Sequence, residues 1–278
     1  MSYQPYPAFW QAATPPARDL AYDNTHAVPD SAQLIAARNA EAAAFRAGNA
    51  GHLDLAYGPG ERQQWDIFPG ANPNAPCLVF IHGGYWQRNR REDFCAFMTG
   101  ALALGWSAAL PGYSLAPQAS LTDIVAEIST ALDWLAANGS AHGIAGPAVL
   151  SGWSAGGHLA AMALDHPRVA AGLAISGIYE LAPIRDTTLN DALHLTETEL
   201  ALLSPRRLLM RDKPLVVAYG TQELPELRRQ SHDFHAARAE AHCPGPLLPM
   251  PRQDHFRILE DLKAPHGCML QAAAALLR

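Results

Sequence analysis

The chain has 278 residues, 49% hydrophobic and only 17% charged, with 20 Lys+Arg against 26 Asp+Glu for a formal net charge of -6. This hydrophobicity excludes a disordered chain, and the length suffices for one large α/β domain or two smaller ones. A mildly acidic balance offers no basic stripe to neutralise phosphates, which sets nucleic-acid binding aside.

From the N-terminus, Met1 to Leu20 carries Tyr3, Tyr6 and the prolines Pro5, Pro7 and Pro15, with no basic region leading into an apolar core, so it does not read as a secretory signal. No stretch approaches the roughly 18 uninterrupted apolar residues of a membrane span. Cys77, Cys95, Cys243 and Cys268 are scattered without CxxC pairing, which fits neither a disulfide scaffold nor a zinc knuckle and points to a reducing cytoplasm.

Ser31 to Ala47 predicts an N-terminal helix lying on the main body, with Leu34, Ile35, Ala42 and Phe45 on one stripe and Ser31 as its N-cap. Leu53 to Tyr57 and Gln64 to Phe68, separated by Gly58-Pro59-Gly60, predict an antiparallel hairpin. Buried strands then alternate with helices. The predicted strands are Cys77–Ile81, Trp106–Leu110, Ala148–Ser151, Val169–Ser176, Pro214–Tyr219 and Leu247–Met250. The predicted helices are Asp93–Leu104, Leu121–Ala137 with Ser120 and Asp123 as a capping pair and Asn138-Gly139 as its stop, Ala155–Leu164, Glu226–Ala241 and Cys268–Leu277.

That rhythm implies an α/β fold with a mostly parallel central sheet covered on both faces. Residues 181–212 break it with a short helix at Thr196–Leu203, the expected place of a lid. With no linker or internal repeat, the expectation is a single domain over 1–278, with 1–50 as a helical extension.

In such a sheet, ligands bind beyond the carboxyl ends of the strands. The strand ending at Ser151 runs into Gly152-Trp153-Ser154-Ala155-Gly156-Gly157, a GxSxG turn between strand and helix. There a serine hydroxyl is exposed, and the flanking glycines allow strand and helix to close together. The competing reading is a turn serine that merely caps the helix.

After Cys77–Ile81 comes His82-Gly83-Gly84-Tyr85-Trp86, a loop suited to turning N–H groups toward an oxyanion. The N–H groups of Gly84, Tyr85 and Ala155 are the candidates, and His82 reads as a donor bracing the loop. A serine nucleophile needs a base and an orienting acid, in the chain order Ser, acid, His. His255 follows the last predicted strand, and Glu223 follows Pro214–Tyr219, with Asp254 and Asp233 as competing acids. Tyr85, Trp86, Trp153 and Tyr113 are candidate walls of an aromatic-lined pocket, with core packing as the alternative. His232 and His235, near His242, lack the carboxylates or HExxH spacing of a metal site, and no metal or cofactor is called for.

His82-Gly83-Gly84-Tyr85-Trp86-Gln87, Ala96-Phe97-Met98, Leu115-Ala116-Pro117, Gly152-x-Ser154-Ala155-Gly156, Ser176-Gly177, Arg229-Gln230-Ser231 and Asp254-His255-Phe256 resemble the kynurenine formamidase (arylformamidase) branch of the α/β-hydrolase fold, from about Gly58 onward. HGGYW is the most specific element, since many lipases and esterases of this fold carry a third glycine where Tyr85 stands. The resemblance implies hydrolysis of an N-formyl group from an aromatic amine, N-formylkynurenine being the family substrate, by Ser154, His255 and the acid. Broad carboxylesterases and amidases share this outline, and a non-catalytic binding protein of the same fold is the reading from another class. Two departures stand out: Glu223-Leu224-Pro225-Glu226 where Asp followed by Ser-Pro-Glu is usual, and Trp153 where His is frequent. The expected partner is a small-molecule substrate, with neither nucleic acid nor membrane, and a homodimer is left open.

Overall fold

The computed structural model describes residues 5–210 and 212–278. The readings drawn from Met1 to Gln4, and from Arg211 within the 181–212 insertion, lie outside the described residues. Among the described residues, eight strands form one sheet: β1 His52–Ala56, β2 Gln64–Phe68, β3 Cys77–Ile81, β4 Ser107–Pro111, β5 Ala148–Trp153, β6 Val169–Ile175, β7 Leu215–Gly220 and β8 Leu247–Met250. Their order is β1-β2-β4-β3-β5-β6-β7-β8. The predicted hairpin is there: β1 pairs antiparallel with β2, which pairs antiparallel with β4, and every later pairing is parallel.

The all-apolar run of β3 is the signature of a strand covered on both faces. Its side chains alternate between two cores: Cys77, Val79 and Ile81 enter one, Leu78 and Phe80 the other. Five longer helices are α1 Ser31–Gly48, α2 Leu121–Asn138, α3 Ala155–Met162, α4 Pro225–Glu240 and α5 Cys268–Ala275. The first core takes Leu121, Ile124, Ile128 and Leu132 of α2, Leu159 of α3 and Leu227 and Phe234 of α4. The second is closed by Phe94, Phe97 and Met98, by Ile258, Leu259 and Leu262, and by Met269 and Leu270 of α5. Each such Leu, Ile or Phe contributes about 1.5–3 kcal/mol through burial.

The helix signals were correct in substance and shifted in detail. Ser120 Oγ accepts from the Asp123 N–H at 3.1 Å while Asp123 accepts from the Ser120 N–H at 3.0 Å, the predicted capping box. Gly139 does not stop α2 by a left-handed turn; a short 3-10 turn, Gly139–His142, continues it, and Gly143 takes the positive φ of 79°. Ser31 is not the N-cap of α1 either: Asp30 holds that place and Ser31 Oγ donates to the Thr25 carbonyl at 3.0 Å. Asp93–Leu104 divides into a 3-10 stretch, Arg91–Met98, and one short α-helix, Thr99–Ala103. Among the described residues, no helix is long and apolar enough to cross a membrane.

Candidate active site

β5 ends at Trp153, α3 begins at Ala155, and Ser154 alone makes the turn, with φ 58° and ψ −119°. A non-glycine residue held there costs on the order of 1–3 kcal/mol, sustained by the packing around it. The close approach explains the flanking glycines: a Cβ on Gly152 would stand 2.0 Å from the Gly156 carbonyl oxygen, and one on Gly156 would stand 2.0 Å from that of Ile81. Ser154 N–H donates to the Ile175 carbonyl at 2.8 Å, fixing the turn to β6, and the side chain is only 2% exposed.

The loop after β3 takes positive φ at three successive residues, Gly84 (117°), Tyr85 (51°) and Trp86 (57°), which turns consecutive N–H groups toward one side. No hydrogen bond among the described residues takes up the N–H of Gly84, Tyr85 or Ala155. The first turn of a helix has no internal acceptor for such an N–H, so that of Ala155 is available by construction.

His82 braces this loop. Its Nδ1 lies 2.9 Å from the Gly83 carbonyl, which can only accept, so Nδ1 carries the proton; Asn89 Nδ2 donates to the same carbonyl at 3.0 Å. The Tyr113 hydroxyl donates to the His82 carbonyl at 2.9 Å, with its ring stacked on the imidazole at 4.2 Å.

Burial pulls the His82 pKa from 6.5 down to about 3, and burial likewise lowers His158, beneath Trp86, to about 4. Both stay neutral when folded, whereas the unfolded chain protonates them below about pH 6.5. Stability therefore falls as pH drops from 6.5 toward 4, by about 1.4 kcal/mol per pH unit for each proton. The melting temperature is expected to fall over this window, and to fall less steeply in His158→Gln.

His255 is 3% exposed and sits just beyond β8, with Trp153 fixing it: the indole Nε1–H donates to the His255 carbonyl at 2.8 Å and the rings lie 4.7 Å apart. Behind the imidazole, Glu223 Oε1 lies 3.8 Å from His255 Nδ1. The same oxygen accepts from the Gly220 N–H at 3.1 Å and from Ser176 Oγ. Glu223 Oε2 and His255 Nδ1 are both buried without a hydrogen-bond partner. A donor and an acceptor buried side by side and unpaired are poised to join by a small torsion of the longer Glu side chain, and catalytic hydrogen bonds often tighten only with substrate bound.

The competing acids are engaged elsewhere. Asp254 accepts from the N–H groups of Phe256 and Arg257, both at 2.9 Å, and Asp233 pairs with Arg229 at 2.7 Å. His232 and His235 bond the Tyr219 hydroxyl and the Gly245 carbonyl.

Ser154, His255, Gly84, Tyr85 and Trp153 line one cavity of about 350 Å³, a volume suited to a small molecule. From the insertion, Thr188 and Leu189 reach its lining; Asp19, Tyr22, Asp23, Asn24 and Thr25, with Ile35 and Arg38 of α1, supply more of it. The N-terminal segment and insertion are joined, Asp19 accepting from the Thr188 N–H at 2.7 Å and Trp10 Nε1 donating to Asp186 at 3.0 Å. The cover over the serine thus comes from both, and α1, expected only to lie on the body, is a wall of the cavity.

A family model described as BD-FAE matches residues 66–167, the stretch that holds both the 82–87 loop and the serine turn. A kynurenine formamidase of Danio rerio is 30% identical over 226 residues, covering 76% of each chain. The chain belongs to the kynurenine formamidase family. It is an α/β-hydrolase enzyme. The crystal structure of a Silicibacter sp. TM1040 protein of proposed thioesterase activity superposes with a TM-score of 0.83 at 30% identity, covering 92% of this chain and 98% of that one. An esterase of Pyrobaculum calidifontis, at 17% identity, shares the fold with a TM-score of 0.72 over 88% of this chain and 90% of its own.

Within this formamidase-family chain, two expected pocket walls are elsewhere. Trp86 is fully buried, edge-on to His158 at 4.9 Å, and Tyr113 is fully buried under His82; neither lines the cavity. The left-handed turn at Tyr85 and Trp86 places Tyr85 on the lining and sends the indole into the core. Tyr85 is held by its hydroxyl, which donates to the Tyr22 carbonyl at 2.6 Å and accepts from Asn24 at 3.2 Å. Sequence reasoning missed Tyr22 and Asn24, for which the chain gives no periodic signal, and Ser176 as a partner of Glu223. Ser176, the first residue after β6 at the sheet's carboxyl edge, was the available clue.

Proposed function

We propose that the enzyme hydrolyses the N-formyl group of an aromatic amine, in the manner of an N-formylkynurenine formamidase, through Ser154, His255 and Glu223. His255 takes the proton of Ser154 Oγ as that oxygen bonds to the formyl carbon. The N–H groups of Gly84, Tyr85 and Ala155 receive the oxyanion; each such donor typically lowers the barrier by about 3 kcal/mol. The C–N bond then breaks, the amine leaving with the proton from His255. Water, deprotonated by His255, attacks the formyl ester and releases formate and free Ser154.

The observation that carries this reading is the strained Ser154 turn sharing one small cavity with His255 and with unclaimed N–H groups. The arrangement suits a short acyl group, and all its residues come from one chain, so a homodimer is not required to complete it. We read 1–278 as one domain with 181–212 as part of its cover, and four free thiols as suited to the cytoplasm. The second reading, cleavage of a short-acyl ester or thioester, is favoured by the 30% identity to the Silicibacter protein. Turnover of N-formylkynurenine beside p-nitrophenyl acetate separates them: formamide cleavage at a kcat/KM at least comparable to the ester is expected, and ester cleavage alone would overturn the formamidase reading.

A further inference from the structure

We propose that Arg38 is a specificity-determining residue that binds a carboxylate carried by the aromatic part of the substrate. The proposal rests on the reading of Ser154 as the nucleophile of this cavity and adds a charge requirement to it. Arg38 lies on α1, is only 9% exposed, and lines both the Ser154 cavity and an adjoining one of about 450 Å³; Ile35, Trp153 and Phe256 are also common to the two.

Its guanidinium lies 4.3 Å from the centre of the Phe94 ring. Nε and Nη2 both bond Asn39 Oδ1, at 3.0 and 2.9 Å, and Nη2 also bonds Asn89 Oδ1 at 3.2 Å. These acceptors are neutral amides. Among the described residues Arg38 has no ion pair, and its Nη1 donates no hydrogen bond. Burial pulls its pKa down, with Asp93 opposing at longer range.

A buried cation without a carboxylate is costly, and its guanidinium matches a carboxylate in shape and charge. The other charged groups on the two linings are hydrogen-bonded, ion-paired or, in the case of Arg88, solvent-exposed. Asp19 bonds Thr188 and Asp23 caps the His26 N–H, while Arg88 is exposed; in the adjoining cavity Arg257 pairs with Asp30 and Asp254, and Glu41 and Glu260 pair with Lys263. Asn89 links Arg38 to the Gly83 carbonyl, placing the cation beside the loop that would receive the oxyanion.

The test compares N-formylkynurenine with its primary carboxamide, and in parallel 3-(4-acetoxyphenyl)propanoate with its carboxamide. The quantity read is the ratio of kcat/KM between acid and amide, which is independent of how much of a sample is folded. The wild-type ratio is expected to favour the acid by roughly 10- to 100-fold, the weight of a charge-assisted hydrogen-bonded pair. Arg38→Met should bring the ratio close to one. Arg38→Lys, which keeps the charge and loses the fork, should lower it by at least about threefold, and this decides the matter if the Met variant does not fold. A wild-type ratio near one, or a ratio unchanged in the variants, overturns the proposal. Failure of both formamides with turnover of the esters refutes the formamidase reading alone, and the ester ratio then decides for Arg38.

Discussion

Ser154→Ala is expected to abolish turnover, lowering kcat by on the order of 10⁴- to 10⁶-fold while the melting temperature stays within a few degrees of wild type. Loss of a nucleophile removes the covalent route altogether, and what remains is the background supplied by substrate binding and oxyanion donors. The fold has little stake in the hydroxyl. No hydrogen bond from Ser154 Oγ to a described residue holds the turn; its N–H to Ile175, its carbonyl to His158 N–H and the glycine contacts around it do. Steady-state kinetics beside a thermal melt check this, and retention of more than a few per cent of activity would show that another group attacks the substrate.

Glu223→Gln is expected to cost about 10³- to 10⁴-fold in kcat, close to the effect of neutralising a triad acid elsewhere. The structure supplies the reason for so large a loss from an isosteric change. Gly220 N–H and Ser176 O–H both point at Oε1, so the amide would keep its oxygen there and put its NH₂ at the Oε2 position, from which the torsion that joins acid to base presents a donor to His255 Nδ1. A donor facing Nδ1 forces the proton onto Nε2, where the base needs a lone pair for Ser154. Asp254→Asn, by contrast, should change kcat less than about fivefold, since that carboxylate serves Phe256, Arg257 and the turn between them. If Asp254→Asn were the more damaging substitution, the acid would have been misassigned.

The parts of this molecule that could be read from the chain are those with a local, repeated or sterically enforced signal. Cys77–Ile81 declares a strand covered on both faces because no polar residue interrupts it. The serine turn declares itself because Gly152 and Gly156 sit where any Cβ would strike a carbonyl. The limits of the elements moved by one or two residues, and past Gly139 the chain keeps turning until Gly143. The aromatic residues were harder. Tyr85, Trp86, Trp153 and Tyr113 are equally at home in a core or on a wall, and only the backbone direction within the 84–86 turn separates Tyr85 from Trp86.

Trp153, the departure where His is frequent, reads differently in three dimensions. It lines the cavity and also holds His255 by its indole N–H, so in the proposed mechanism it positions the base as well as shaping the pocket. The contribution of residues 19–25 was not legible at all, because those residues meet Tyr85 and Thr188 across long sequence separations that leave no pattern. Arg38 was hidden for a related reason. Four residues from both Leu34 and Ala42, it falls on their stripe, but the chain gives no sign of the cavity, lined by distant loops, that its guanidinium meets there.

In the proposed mechanism one serine carries the reaction. Titration of the enzyme with a fluorophosphonate, with peptide mapping of the label and N-formylkynurenine turnover measured on the same samples, tests it most directly. Ser154 is expected to be the residue labelled, turnover to fall linearly to zero as labelling reaches one per chain, and His255→Ala to suppress both. Full turnover in a chain whose Ser154 is stoichiometrically labelled, or labelling of a different serine in step with the loss of activity, would contradict it.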